Sequence, residues 1–227
     1  MVQAQFDLVL VLRMTINENR HMRIAAHQRP EVYEQILAVA EHLFRTLGYG
    51  KTTIADIAHS LGMSTANIYR YFENKSEINE AITHRVLARS ETLIEQILRA
   101  SDSAASRLKR MVHELHRYTC EQYLQESKVH EIVIKAMDEQ WTVIDAHIQR
   151  LRAAFHIVLQ EGVEAAEFDA EIVAAYSDSV FNALIPFCHP QVVAERFAQD
   201  EGRQARLMAD FLVQVLTSGP PAGTAAD

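Results

Sequence analysis

The segment Thr52 to Glu77, TTIADIAHSLGMSTANIYRYFENKSE, constrains this chain more tightly than any other. Its apolar run, Ile54, Ile57, Ala58 and Leu61, stops at Gly62 and restarts at once behind Ser64, a spacing that fits a short helix, a tight bend and a second short helix. Thr53 and Ser64 carry hydroxyls able to accept from the free amides of a first turn, and Asp56 stands near the positive end of the first helix. The spacing predicts one helix from Thr53 to Leu61 and another from Thr65 to Tyr71. A longer helix should start after Asn74, with Glu77 placed to complete a capping box. Upstream, Pro30 suits a first turn, and Ile36, Leu37, Ala40, Leu43, Phe44 and Leu47 follow at helical spacing until Gly48 ends the pattern.

Beyond Ile78 the apolar periodicity continues in blocks too long for strands: to about Ala100, Ser106 to Ser127, Val129 to Glu161, Ala170 to Cys188, and Gln191 to Leu216. A break near Trp141 would split the third of these, and Pro190 bars the helix before it from continuing. With only 7 glycines and 5 prolines in 227 residues, there is little turn chemistry for a sheet, so the fold class is all-α. We divide the chain into an N-terminal extension (1–28), a helix-turn-helix domain (29–75), a larger helical domain (76–217) and a flexible tail (218–227). The extension is either a mobile arm or the product of an upstream start codon. Its apolar FDLVLVL run is too short to span a bilayer and lacks the flanks of a secretion signal, which points to the cytoplasm and to no membrane partner.

The formal charge of −8 is unevenly spread. Arg20 to Lys75 carries seven Lys and Arg against five Asp and Glu, whereas Ser76 to Asp227 carries fourteen against twenty-three. A positive head joined to a negative body fits a chain that meets phosphates with one part only. Cys120 and Cys188 are far apart and have no zinc-type spacing, so no disulfide framework or structural metal is expected, and no cofactor. Among the histidines, His113 and His116 are three apart, and His130, His147, His156 and His189 could converge with Cys188, but no spacing here is diagnostic.

A helix, a bend and a helix make the geometry in which the second helix enters the major groove of duplex DNA. Ile57, Ala58 and Leu61 with Ile68 and Phe72 would form the shared core, leaving Ser64, Thr65, Asn67 and Arg70 outward. Thr52-Thr53, Ile57-Ala58, Gly62-Met63-Ser64, the run Ile68 to Phe72, and Lys75 closely resemble the DNA-binding signature of the TetR family of bacterial transcriptional regulators. The resemblance covers about Pro30 to Ala81, and this chain has Ala66 where the family often has glycine. It implies an all-helical homodimer in which effector binding alters the spacing of two DNA-reading heads. Carried over position by position, it implies DNA contacts at Thr53, Ser64, Thr65, Ala66, Asn67, Tyr69, Tyr71 and Lys75, with Arg70 close by. The late segment from Glu161 to Pro190 resembles the family's dimerisation region, which places Ala175, Ser179, Val180, Ala183, Leu184 and Phe187 at the partner interface.

A small-molecule effector would enter the second domain, where Met111, Leu115, Tyr118, Trp141, Phe155 and Phe181 are candidate lining residues, each equally suited to plain core. The expected function is a repressor that binds a near-palindromic double-stranded operator as a homodimer and is released by that effector. Two other readings compete with it: a metal-responsive regulator using the later histidines, and a helical partner-binding protein without specific DNA contacts. A helical enzyme is disfavoured because no nucleophile elbow, phosphate loop or metal-ligand motif organises the carboxylates and histidines.

Overall fold

The computed structural model describes residues 29–121, 142–197 and 200–218, which form helices joined by short turns. The N-terminal extension, the tail beyond Ser218, Trp141 and the break expected beside it lie outside the described residues. The chain divides into two compact units, the described parts of which are 29–86 with 142–146, and 87–121 with 147–197 and 200–218.

The first unit contains α1 (Pro30–Leu47), α2 (Ile54–Ser60), α3 (Thr65–Ile68) and the start of α4 (Lys75–Leu98). Pro30 occupies the first turn of α1, where its missing N–H has no partner to lose. Tyr33, Ile36, Leu37, Ala40 and Phe44 are buried, but Leu47 at the last turn is exposed, so the apolar stripe is shorter than its periodicity suggested. Gly48 then takes φ 92°, a left-handed angle that costs glycine little, and its N–H closes on Phe44 O at 3.0 Å.

Helix α3 ends at Ile68 rather than at the expected Tyr71. The amides of Arg70 and Tyr71 reach only three residues back, to Asn67 O and Ile68 O, and this tighter turn carries Phe72 into the core. There Phe72 stacks on Tyr33 with ring centroids 4.9 Å apart. Burial, aided by Glu34 and Glu77, pushes the Tyr33 hydroxyl up to about 12. Asn74 caps α4 by accepting from Glu77 N at 2.9 Å, but the Glu77 carboxylate accepts from Glu73 N rather than from Asn74 N, so the expected box is displaced by one residue. Arg85 of α4 donates to Glu34 and Glu41 of α1, and Arg45 also donates to Glu41.

In the second unit, α5 (Ala104–Thr119) packs against α7 (Ala170–Cys188) and α9 (Arg203–Ser218), which also pack on one another. Leu108, Met111, Val112 and Leu115 give α5 a fully apolar stripe at i, i+3, i+4 and i+7. It begins at Ala104, a little before the expected Ser106, because Ser103 accepts from Ser106 N while the Glu167 carboxylate accepts from the amides of Ala104 and Ala105, both at 3.0 Å. Arg107, almost wholly buried, pairs with Glu161 of α6 (Thr142–Glu164).

The block expected to run unbroken from Gln191 to Leu216 is interrupted. A short α8 (Pro190–Val192) widens into a π-helical turn at Val193–Phe197, and α9 starts only at Arg203. Asp200 accepts from the amides of Gly202 and Gln204, and Gly202 takes φ 73°. The Asp-Glu-Gly run is cap chemistry that the surrounding apolar periodicity masked.

This packing makes two substitutions informative about stability. A Cβ on Gly162 of α6 would collide with the buried Phe168 ring, so Gly162→Ala should lower stability by about 1–3 kcal/mol in a urea titration, despite alanine's better helix propensity. In α4, Asn79 and Thr83 are fully buried one turn apart, and neither side chain finds a hydrogen-bond partner among the described residues. Thr83→Val, which keeps the shape and removes the stranded hydroxyl, should raise stability by about 1 kcal/mol in the same titration.

Candidate nucleic-acid interface

Ile57 and Ala58 of α2, with Ile68 and Phe72 beyond the bend, are buried together in the first unit, while Leu61 is only half-buried. Gly62 turns the chain at φ 63°, and the Met63 amide returns to Ala58 O at 2.9 Å, holding the bend against α2. Thr53 caps α2 in a complete capping box: its hydroxyl accepts from Asp56 N at 3.2 Å, and the Asp56 carboxylate accepts from Thr53 N at 2.8 Å. Ser64 caps α3 by accepting from Asn67 N at 3.3 Å.

This frame leaves a polar rim. Thr53, Ser64, Thr65, Ala66, Tyr69 and Arg70 are exposed, and Tyr69 is 54% accessible although aromatic. The Arg70 guanidinium has no hydrogen bond or ion pair among the described residues. Asn67 and Tyr71 are half-buried, and Asn67 directs Nδ2 toward Met63 Sδ at 3.3 Å. Lys75 faces inward: its ammonium donates to Tyr49 O at 2.8 Å and Thr52 O at 2.9 Å and lies 4.3 Å from the Tyr49 ring centroid. Burial lowers its pKa. Two of its three protons are thereby committed to the protein, and the residue braces the ends of α1, α2 and α4. From the sequence Met63 has only a place in the Gly62-Met63-Ser64 piece of the signature, and Tyr49 none. Tyr49 meets Lys75 across 26 positions, which periodicity cannot register.

The other candidate residues that are described lie in the second unit. Met111, Leu115, Phe155 and Phe181 belong to one buried cluster, with Phe155 and Phe181 edge to face at 5.7 Å, and Tyr118 is buried as well. Val180, Leu184 and Phe187 are in that same cluster, so the protomer's own core takes them. Ala175 and Ser179 remain exposed and Ala183 half-buried on the other side of α7. The sequence merged two faces into one because both are apolar or small. His147 meets Glu91, His156 meets Asp178, and His116 Nδ1 donates to Phe187 O at 2.8 Å. No group of three metal-ligating side chains gathers among the described residues. Burial raises both thiols, Cys188 to about 12, so neither is a ready nucleophile.

A short helix pair with a polar rim, joined to a second unit whose described residues are helical, defines a helix-turn-helix regulator. The family profile described as "Bacterial regulatory proteins, tetR family" matches residues 36–82, and the profile "Tetracyclin repressor-like, C-terminal domain" matches 104–209. The chain belongs to the TetR family of transcriptional regulators. It is similar to the HTH-type transcriptional regulator TtgR of Pseudomonas putida, at 33% identity over 82 residues, which are 34% of this chain and 39% of that protein. The structure of PfmR, a TetR family regulator from Thermus thermophilus, covers 80% of this chain and 98% of its own, with TM-score 0.52 and 26% identity. FadR from Bacillus subtilis in complex with stearoyl-CoA shares the fold at TM-score 0.56 and 16% identity, over 83% of this chain and 100% of that one.

The capping box has a pH signature. Hydrogen bonds from the side chain and backbone of Thr53 hold the Asp56 carboxyl below its ordinary 3.8. A depressed folded pKa means the stabilisation is fully present above the unfolded value and is lost as pH falls through the folded one. Thermal midpoints measured downward from neutrality should therefore drop below about pH 4, and less steeply in Asp56→Asn than in the wild type.

Proposed function

We propose that the chain is a repressor that binds a near-palindromic operator as a homodimer and is released by a small-molecule effector held in the second unit. The observation that carries this reading is the exposed rim of α3 and the turn after it, with Thr65, Tyr69 and Arg70 outward and Ile68 and Phe72 buried beneath them. Hydroxyls, a phenol and a guanidinium are the groups that hold phosphates and reach base edges. The rest of Lys75's capacity, one proton, is available to a nearby phosphate.

Dimerisation is supported by apolar surface that the protomer leaves open. Tyr176 of α7 and Leu207 and Phe211 of α9 are between 49% and 58% exposed, and the small residues Ala175, Ser179 and Ala183 share the α7 face with Tyr176. Large exposed apolar side chains on packed neighbouring helices suit burial against a second copy, and symmetric heads suit symmetric DNA. For the effector, a site opening within the apolar cluster around Met111, Leu115, Phe155 and Phe181 would take a ligand with a large apolar part. The head-to-body division of charge accords with work on DNA in the cytoplasm. Among the described residues no helix is long and apolar enough to cross a membrane.

The test is fluorescence anisotropy on duplexes from the chain's own genomic neighbourhood. We expect saturable binding that weakens by roughly 10³-fold between about 50 and 200 mM salt if some six phosphates are neutralised, and that weakens further in Tyr69→Ala and Arg70→Ala. Failure to bind any such duplex at low salt would remove the proposal. Phe211→Glu should yield monomers in sedimentation and lower DNA affinity, while addition of stearoyl-CoA and other apolar candidates to the wild-type complex screens for release.

A further inference from the structure

Asn67 is held at two points. Its backbone amide donates to Ser64 Oγ, and its side-chain Nδ2 lies 3.3 Å from Met63 Sδ, with both side chains half-buried. A thioether sulfur has lone pairs and no proton, so it can only accept. The amide must therefore turn its NH2 end to the sulfur and its carbonyl end away from it. The Met63 backbone is fixed, since its N–H is tied to Ala58 O of α2, which roots the half-buried thioether beside Asn67. The orientation of the Asn67 amide is thus set by the bend, before any ligand arrives.

We propose that Met63 is a positioning residue for base recognition, and that its thioether presets Asn67 to read adenine in the major groove. This rests on the reading of α3 as the DNA-facing helix. A free asparagine amide offers two N–H donors and one carbonyl oxygen. With Oδ1 turned away from the sulfur, the N–H given to Met63 is the one anti to Oδ1, so the syn N–H and Oδ1 remain side by side, which is the pair that meets N7 and N6–H of adenine. Guanine presents acceptors at both positions, so Oδ1 would face O6 with no proton between them. Ala66 has no polar side-chain atom, which leaves direct polar readout on α3 itself to Thr65 and Asn67, with Tyr69 and Arg70 in the turn that follows. A preset amide also loses less side-chain freedom on binding than one that must be ordered by the base.

The experiment is selection of bound duplexes from a random-sequence library by the full chain, followed by affinity measurements on single-base variants of the selected site. The wild type should select an adenine in each half-site whose exchange for guanine weakens binding at least tenfold. Asn67→Ala should erase that preference at that base pair alone. Met63→Leu keeps the bulk but lacks a lone pair; it should cut the adenine-over-guanine ratio at the same base pair by three- to tenfold, leaving other positions, the salt slope and the thermal midpoint unchanged. Wild-type discrimination in Met63→Leu would overturn the proposal, as would a uniform loss of preference with a falling thermal midpoint, which marks a packing role. Intact adenine preference in Asn67→Ala would overturn it too. A wild-type chain that selects no sequence would instead overturn the DNA-reading function itself, and this inference with it.

Discussion

Helices of seven and four residues, α2 and α3, are too short to persist alone, because the nucleation cost is not recovered over so few hydrogen bonds. Everything the first unit presents depends on their being made stable by other means. Caps supply part of it: Thr53 with Asp56, and Ser64 with the Asn67 amide, each satisfy donors that a short helix would otherwise strand. Burial of Ile57, Ala58, Ile68 and Phe72 supplies the rest. The consequence is a division by face, in which apolar side chains fix the pair while its outer residues stay free for a partner.

Polar groups buried near this pair serve as braces. The Lys75 ammonium, held by Tyr49 O, Thr52 O and the Tyr49 ring, connects the end of α1 and the approach to α2 with the first turn of α4. A lysine in that position would from sequence be read as a phosphate contact, and its geometry gives it a structural duty besides. Asn79 and Thr83, deeper along α4, are the reverse case: buried polar groups without partners among the described residues, which weaken the packing they occupy.

The second unit follows the same logic at larger scale. The amides at the start of α5 are capped by a carboxylate, Glu167, from more than sixty residues away, and the buried Arg107 guanidinium is paired with the half-buried Glu161 of α6. Gly162 lets the Phe168 ring lie against α6. On α7 the large residues Val180, Leu184 and Phe187 turn to that core, and the small residues with Tyr176 turn outward.

From the sequence alone came the helical class, the limits of α1 and α2, the bend at Gly62, the caps at Thr53 and Ser64 and the resemblance to the TetR family, because each rests on local hydrogen bonding or on a periodicity of a few residues. Residue type also separated Ile68 and Phe72 from Thr65 and Arg70. What local pattern could not carry was decided by tertiary structure: where α3 stops, since the Phe72 ring must reach Tyr33; where the last block breaks, since Asp200 caps a new helix; which face of α7 meets the core; and that Lys75 and Asn67 are each held by another side chain or carbonyl. Those outcomes depend on partners brought close only by folding, and on directions in space that spacing along a chain does not encode.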